Sequence, residues 1–245
     1  MYLVTRHLSL VTRHYLMSFF THKEERLNAW SHAAGILLAI LAGAYFLYLC
    51  LRPHGIVPEQ VDIAIDATSD TFWATFGVVL YLLGMLGSYL TSTLYHALPN
   101  SRAKAVLRRW DHAAIYWHIA GSYSPITLLV LRGEGLWGWG LFAFVWAAAI
   151  VGTVMSFRRL SDHSYLETTC FVLMGLSVLV AFEPLLDHAP HVAVNWIVAE
   201  GVCYITGAVF YSLRRRFMHA VFHFFVLAGS ICHIIAVRSI LLEML

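Results

Sequence analysis

Charge is scarce in this chain. Of its 245 residues, 12% are Asp, Glu, Lys or Arg, about half the share usual in a soluble globular domain. A water-facing surface cannot be built from so few charges. Cysteine is scarce as well. Cys50, Cys170, Cys203 and Cys232 are far apart in apolar stretches, and no Cys-x-x-Cys occurs. That excludes a disulfide framework and a thiolate metal site, and leaves small core hydrophobes. A net charge of +2 gives no basic footprint for nucleic acid. Disorder is excluded too, because 60% of the residues are hydrophobic.

What the chain has instead is long apolar runs. About 20 such residues cross a bilayer core. Seven candidate spans run approximately 33–51, 72–96, 112–131, 135–157, 164–183, 191–213 and 217–238. The fifth is the weakest and must draw polar residues in at its ends. None alternates polar and apolar as a barrel strand does. The expected fold is an all-α seven-transmembrane bundle. Residues 1–21, with VTRH at 4–7 and again at 11–14, read as a flexible extension, and Met17 is a second candidate start. Residues 22–245 form the transmembrane domain.

Short loops let the positive-inside rule be read. With seven spans, thirteen basic residues share the N-terminal side: Arg6, Arg13, Lys23, Arg26, Arg102, Lys104, Arg108, Arg109, Arg158, Arg159, Arg214, Arg215 and Arg216. Three, Arg52, Arg132 and Arg238, take the other side, where Glu59, Asp62, Asp66, Asp70 and Asp187 also gather. This predicts a cytosolic N-terminus and an extracytosolic C-terminus in the plasma membrane, or the inner membrane of a Gram-negative cell.

Histidine is over-supplied: 14 residues, as many as Asp and Glu together. Ionisable residues inside spans are costly and point to function. Several fall at one depth. Ser92 and His96 end the second span, and Asp111 and His112 open the third. His219 and His223 open the seventh, while Glu25, Asn28 and His32 lie where the first enters. His219 and His223 are spaced i, i+4, on one helix face about 6 Å apart. That spacing suits two imidazoles on one metal, and His96 is the best-placed third. Three protein ligands with an open position is the catalytic zinc pattern. Asp111 is then either a fourth ligand or the group that holds the water and takes its proton. Ser92 is placed to hydrogen-bond a carbonyl or oxyanion.

Other polar residues have plainer expectations. Glu25 and Asn28 read as caps of the first helix. Glu200 reads as a hydrogen-bonded acid facing the bundle, and Asp162, His163 and Glu167 as a polar loop and helix start. His233, about 21 Å beyond His219, cannot share its metal, and His118 lies about 10 Å deeper than Asp111. Trp and Tyr at span ends read as interfacial anchors. Gly84, Gly87, Gly121, Gly152, Gly207 and Gly229 read as sites of close helix packing.

The segments EERLNAWSHAAG, Ser92-x3-His96, DHAAIYWHIAGSYSP and HAVFHFFVLAGSICH resemble the hemolysin III family. That family is related to the progestin and adipoQ receptors (PAQR), and more distantly to alkaline ceramidases. The resemblance runs from about Glu24 to the C-terminus, and the stretch before Met17 departs from it. It implies a seven-helix fold with a cytosolic-side zinc on His96, His219 and His223, with Asp111 near the water and Ser92 as the family serine. It also implies a membrane lipid as substrate or ligand, through lipid amide hydrolysis or membrane-lipid homeostasis. Rival expectations are a pore-forming cytolysin and a non-catalytic receptor with structural zinc. A proton-coupled transporter, with Glu200 and His118 as its relay, is more distant because no half-helix break is evident.

Overall fold

Backbone amides in hydrocarbon have no water to bond, so each spanning segment must pair its own polar groups. The chain meets this with helices throughout. The computed structural model describes residues 20–52, 61–158, 165–213 and 215–245, with backbone only for 61–68. The expected extension lies outside these residues apart from Phe20 and Thr21. So do Met17, Glu59, Arg159, Asp162, His163, Arg214 and the side chains of Asp62 and Asp66.

The helices are α1 (His22–Leu51), α2 (Val61–Ala97), α3 (Arg102–Pro125), α4 (Leu136–Arg158), α5 (Tyr165–Leu176), α6 (Phe182–His188), α7 (His191–Ser212) and α8 (Met218–Met244). Six segments among the described residues are long and apolar enough to cross a membrane: His22–Leu51, Ser69–Ala97, Leu136–Arg158, Tyr165–His188, His191–Ser212 and Met218–Met244. The expected third span, 112–131, is also helical: α3 runs into a π-helical turn at Ile126–Val130. It is too polar to join the six, and its place explains why. From Ala120 to Leu131 every residue is buried. Helix α3 packs against α2, α4 and α5, while α1 joins α2 to α8 and α8 leans on α7. A helix enclosed by others needs no apolar face toward lipid.

The bundle is apolar outside, and its interior holds polar side chains among apolar ones. Leu37, Leu41, Leu83, Ile150, Leu173 and Val202 face outward. Asn28, Ser124, Thr127, Ser156, Ser230, His223 and His233 are almost wholly enclosed. Trp30, Trp110, Trp137, Trp139 and Tyr165 stand exposed near helix ends, as expected of anchors.

Close approach of α2 and α3 depends on glycine. A Cβ on Gly84 would collide with the Trp117 carbonyl, and one on Gly121 would come within 2.9 Å of the Leu80 carbonyl. Gly152 and Gly229 instead admit the rings of Tyr116 and Tyr204, and Gly207 lies against Phe225. Gly87 departs from expectation: nothing lies within 4 Å of its Cβ position, so it has no packing role.

The fifth span is broken. Between α5 and α6 the chain tightens to a 3-10 turn at Ser177–Ala181. The Tyr123 hydroxyl of α3 fills the break. It points at the Met174 and Gly175 carbonyls (3.1 and 2.5 Å) and accepts from the Val178 amide (2.9 Å). The expected absence of a transporter-type half-helix break concerned binding sites, and this turn is filled by a side chain of the bundle. A tyrosine from another helix satisfies the freed groups, which sequence spacing cannot reveal.

Gly121→Leu is expected to lower stability by about 1–3 kcal/mol, because the collision is with backbone that cannot swing aside. Gly87→Ala is expected to leave stability unchanged or raise it slightly. Melting temperatures of the two variants in detergent check the contrast.

Candidate metal centre

Four helices bring the site together, and α1 organises it. Thr21 caps α1: its side chain accepts from the Glu24 amide, and Glu24 Oε2 accepts from the Thr21 amide (2.9 Å). The cap is thus Thr21 with Glu24, not Glu25 and Asn28 as expected. Glu24 Oε1 also accepts from the Phe217 amide (2.8 Å). Phe217 holds a left-handed backbone (φ 63°) at the start of α8. That conformation costs a non-glycine residue about 1–2 kcal/mol, and the carboxylate bond offsets it. The result fixes where α8 begins, and with it His219 and His223.

Freed from capping, Glu25 turns inward. Its Oε2 lies 2.7 Å from His96 Nδ1, and its Oε1 accepts from Lys104 Nζ at 2.9 Å. Lys104 also donates to the Leu98 carbonyl (3.0 Å) and lies over the Tyr95 ring. All three residues are buried. Glu25 thus divides its two oxygens between an imidazole and an ammonium.

The Nε2 atoms of the three histidines converge. His219 Nε2 lies 3.3 Å from His96 Nε2 and 3.0 Å from His223 Nε2. The candidate ligand atoms of all three lie within 4.8 Å of one another. Nitrogens about 2.0–2.1 Å from a tetrahedral zinc stand roughly 3.3–3.4 Å apart, so the spacing fits one ion. Orientation fits as well. His223 Nδ1 meets Ser31 Oγ (3.1 Å) and the Asn28 carbonyl (3.3 Å), while His96 Nδ1 meets Glu25. In each case the far nitrogen is held and Nε2 is turned to the shared point, the support metal-binding imidazoles require. Phe20 covers the cluster, its ring 4.8 Å from His219 and 5.6 Å from His96. Tyr211 flanks His219.

The other expected site residues divide. Asp111 shares the neighbourhood, its carboxyl interacting with His96, His112 and Ser92. It is not one of the clustered ligand atoms. The Ser92 hydroxyl is buried beside it, short of a hydrogen bond of good geometry. Asn28 contributes its carbonyl, and its side-chain amide has no partner among the described residues. His32 stacks on His223 with ring centroids 3.6 Å apart.

Three residues escaped the sequence reading. Lys104 was counted only as a loop cation, and Ser31 was not singled out. Glu167 lies in the first turn of α5, at a helix start as expected, but it is buried and paired, its Oε2 2.9 Å from His112 Nδ1 and its Oε1 accepting from Ser156 (3.0 Å). For Ser31 the available signal was spacing, three residues after Asn28 on the same helix. Glu200 behaves as expected, paired with His233 Nδ1 at 2.7 Å.

Comparison with known proteins agrees with the expected resemblance. The model of the Haemolysin-III related family matches residues 20–234. Hemolysin-3 of Bacillus cereus is 33% identical over 209 residues, covering 85% of this chain and 87% of that protein. The Hemolysin-3 homolog of Bacillus subtilis (strain 168) is 34% identical over 212 residues, covering 86% and 91%. The human Monocyte to macrophage differentiation factor, on the PAQR side of the resemblance, is 27% identical over 192 residues, covering 74% and 78%. With six membrane-length helices and a family match across most of its length, this chain is a multi-pass membrane protein and belongs to the Haemolysin-III related family.

Proposed function

We propose that the protein is a zinc-dependent hydrolase of the plasma membrane acting on a lipid amide. In this reading α3 is a true seventh span, and the triad lies at the cytosolic end. The thirteen-to-three division of basic residues supports both points. The observation that carries the proposal is the convergence of three Nε2 atoms, on rings of which two, His96 and His223, have the far nitrogen already held.

Zinc bound there would polarise a carbonyl and lower the pKa of water toward about 7. The chain's own residues supply the rest. Glu25 and Ser31 hold the His96 and His223 rings in place. Asp111 orients the attacking water and takes its proton. Ser92 donates to the oxygen on which negative charge develops. Phe20 limits bulk water over the rings. The apolar exterior lets a lipid approach from the bilayer.

Purified protein is expected to carry about one zinc per chain. His219→Ala and His223→Ala are expected to lose it, and Glu25→Gln to bind it about 10–100-fold more weakly. Elemental analysis and chelator competition read these results, and wild type without zinc overturns the metal site. Asp111→Asn is expected to keep zinc yet lose about 10²–10⁴-fold in turnover of ceramides or acyl amides in proteoliposomes. Zinc without turnover on any such lipid favours a receptor with structural zinc. Dye release that survives loss of all three histidines favours a cytolysin. Seven spans place the termini on opposite sides, so a phosphatase fused to the C-terminus is expected to be active outside the cytosol. Activity confined to a cytosolic reporter there refutes the seventh span.

A further inference from the structure

Beyond the triad, polar atoms continue into the bundle without protein partners. Both ring nitrogens of His32, the Asn28 amide, the Tyr81 hydroxyl, His118 Nε2 and His233 Nε2 are buried and have no hydrogen-bond partner among the described residues. They are not scattered. His32 stacks on His223 of the triad and meets Tyr89 edge-on at 5.1 Å. Tyr89 contacts His118 at 5.7 Å, His118 lies 6.5 Å from Tyr81, and Tyr81 lies 4.7 Å from His233. His233 then pairs with Glu200. Residues from α1, α2, α3, α7 and α8 thus form one column, roughly 15 Å along α8 from His223 to His233.

Buried polar groups in native proteins are almost always paired, with protein or with ordered water. A column of donors and acceptors is a place where water fits, since each molecule needs two to four polar partners. Acyl chains would leave every one of these atoms unsatisfied. The column also has a closed end. Past His233 the interior is filled by Phe46, Val78, Leu128, Leu131, Leu185, Ile240 and Leu241, all essentially inaccessible. The run of unpartnered polar atoms therefore extends from the triad and stops inside the bundle.

We propose that the bundle contains a water-filled half-channel that enters at the histidine triad and ends on the Glu200–His233 pair. The water gives this acid–base pair proton exchange with the solution on the triad side alone. A proton reaching the pair sits on the shared Glu200 Oε2–His233 Nδ1 contact, and leaves by the same waters. The groups facing the pair are Tyr81 of α2, His118 and Tyr123 of α3, Tyr204 of α7 and Cys232 of α8, none of which carries a fixed charge. This holds whether or not the triad binds metal, and its test reads neither metal nor turnover.

Hydroxyl-radical footprinting of the full chain in lipid nanodiscs reads internal water directly. Tyr81, His118 and His233 are expected to be labelled well above Phe46, which is equally buried but lies in the apolar end. Labelling of Tyr81 and His118 no higher than Phe46 overturns the channel. Infrared spectra in light and heavy water read the proton, with Glu200→Gln assigning the Glu200 band. Prompt isotope shift of that band is expected. A band unmoved after prolonged exposure overturns proton exchange at the pair, and requires no variant beyond the one used for assignment.

Discussion

One carboxylate organises the polar end of this bundle. Glu25 divides its two oxygens between His96 and Lys104, and so joins α1, α2 and α3 at a depth where an unpaired charge would be prohibitive. Removing one partner of a buried pair costs about 3–5 kcal/mol, because the other is left uncompensated. The lysine makes the arrangement tolerable. It gives the acid a second, cationic partner beside the imidazole. The adjacent Glu24 does the complementary task, closing the α1 cap and anchoring the start of α8. Two successive acids thus set the positions of all three converging histidines.

The same logic recurs elsewhere in the bundle. Histidine–carboxylate pairs join α3 to α5 through His112 and Glu167, and α8 to α7 through His233 and Glu200. Between lipid-facing apolar surfaces there is little hydrophobic gain in packing helix on helix, so small-residue contacts and interior polar bonds carry association. The glycine contacts of α2 with α3 supply the first, and these pairs supply the second. Helix α3 takes part in both, which is why its sequence is the least apolar of the membrane-length stretches.

Helices and the triad were legible in the sequence because they follow from local regularities. Apolar runs reveal spans, and His219 and His223 share a face by spacing alone. His96 joined them only through a depth argument, which works because short loops force consecutive spans to alternate direction. The pairings were not legible. Nothing along the chain says that Glu25 rather than Glu24 turns inward, since both occupy the first turn and either serves a capping box. Lys104 looked like any loop cation because its burial comes from α1, far away in sequence. The break at Ser177–Ala181 was hidden for a similar reason: the residue that satisfies it, Tyr123, belongs to another helix.

Two of the three converging imidazoles sit on the final helix, and the backbone bond that fixes its start reaches back to Glu24, 193 residues earlier. During synthesis the helices before α8 can therefore insert and pack without the cluster. It comes into being only when α8 docks against α1. A truncated or half-inserted product has at most one of the three imidazoles to offer.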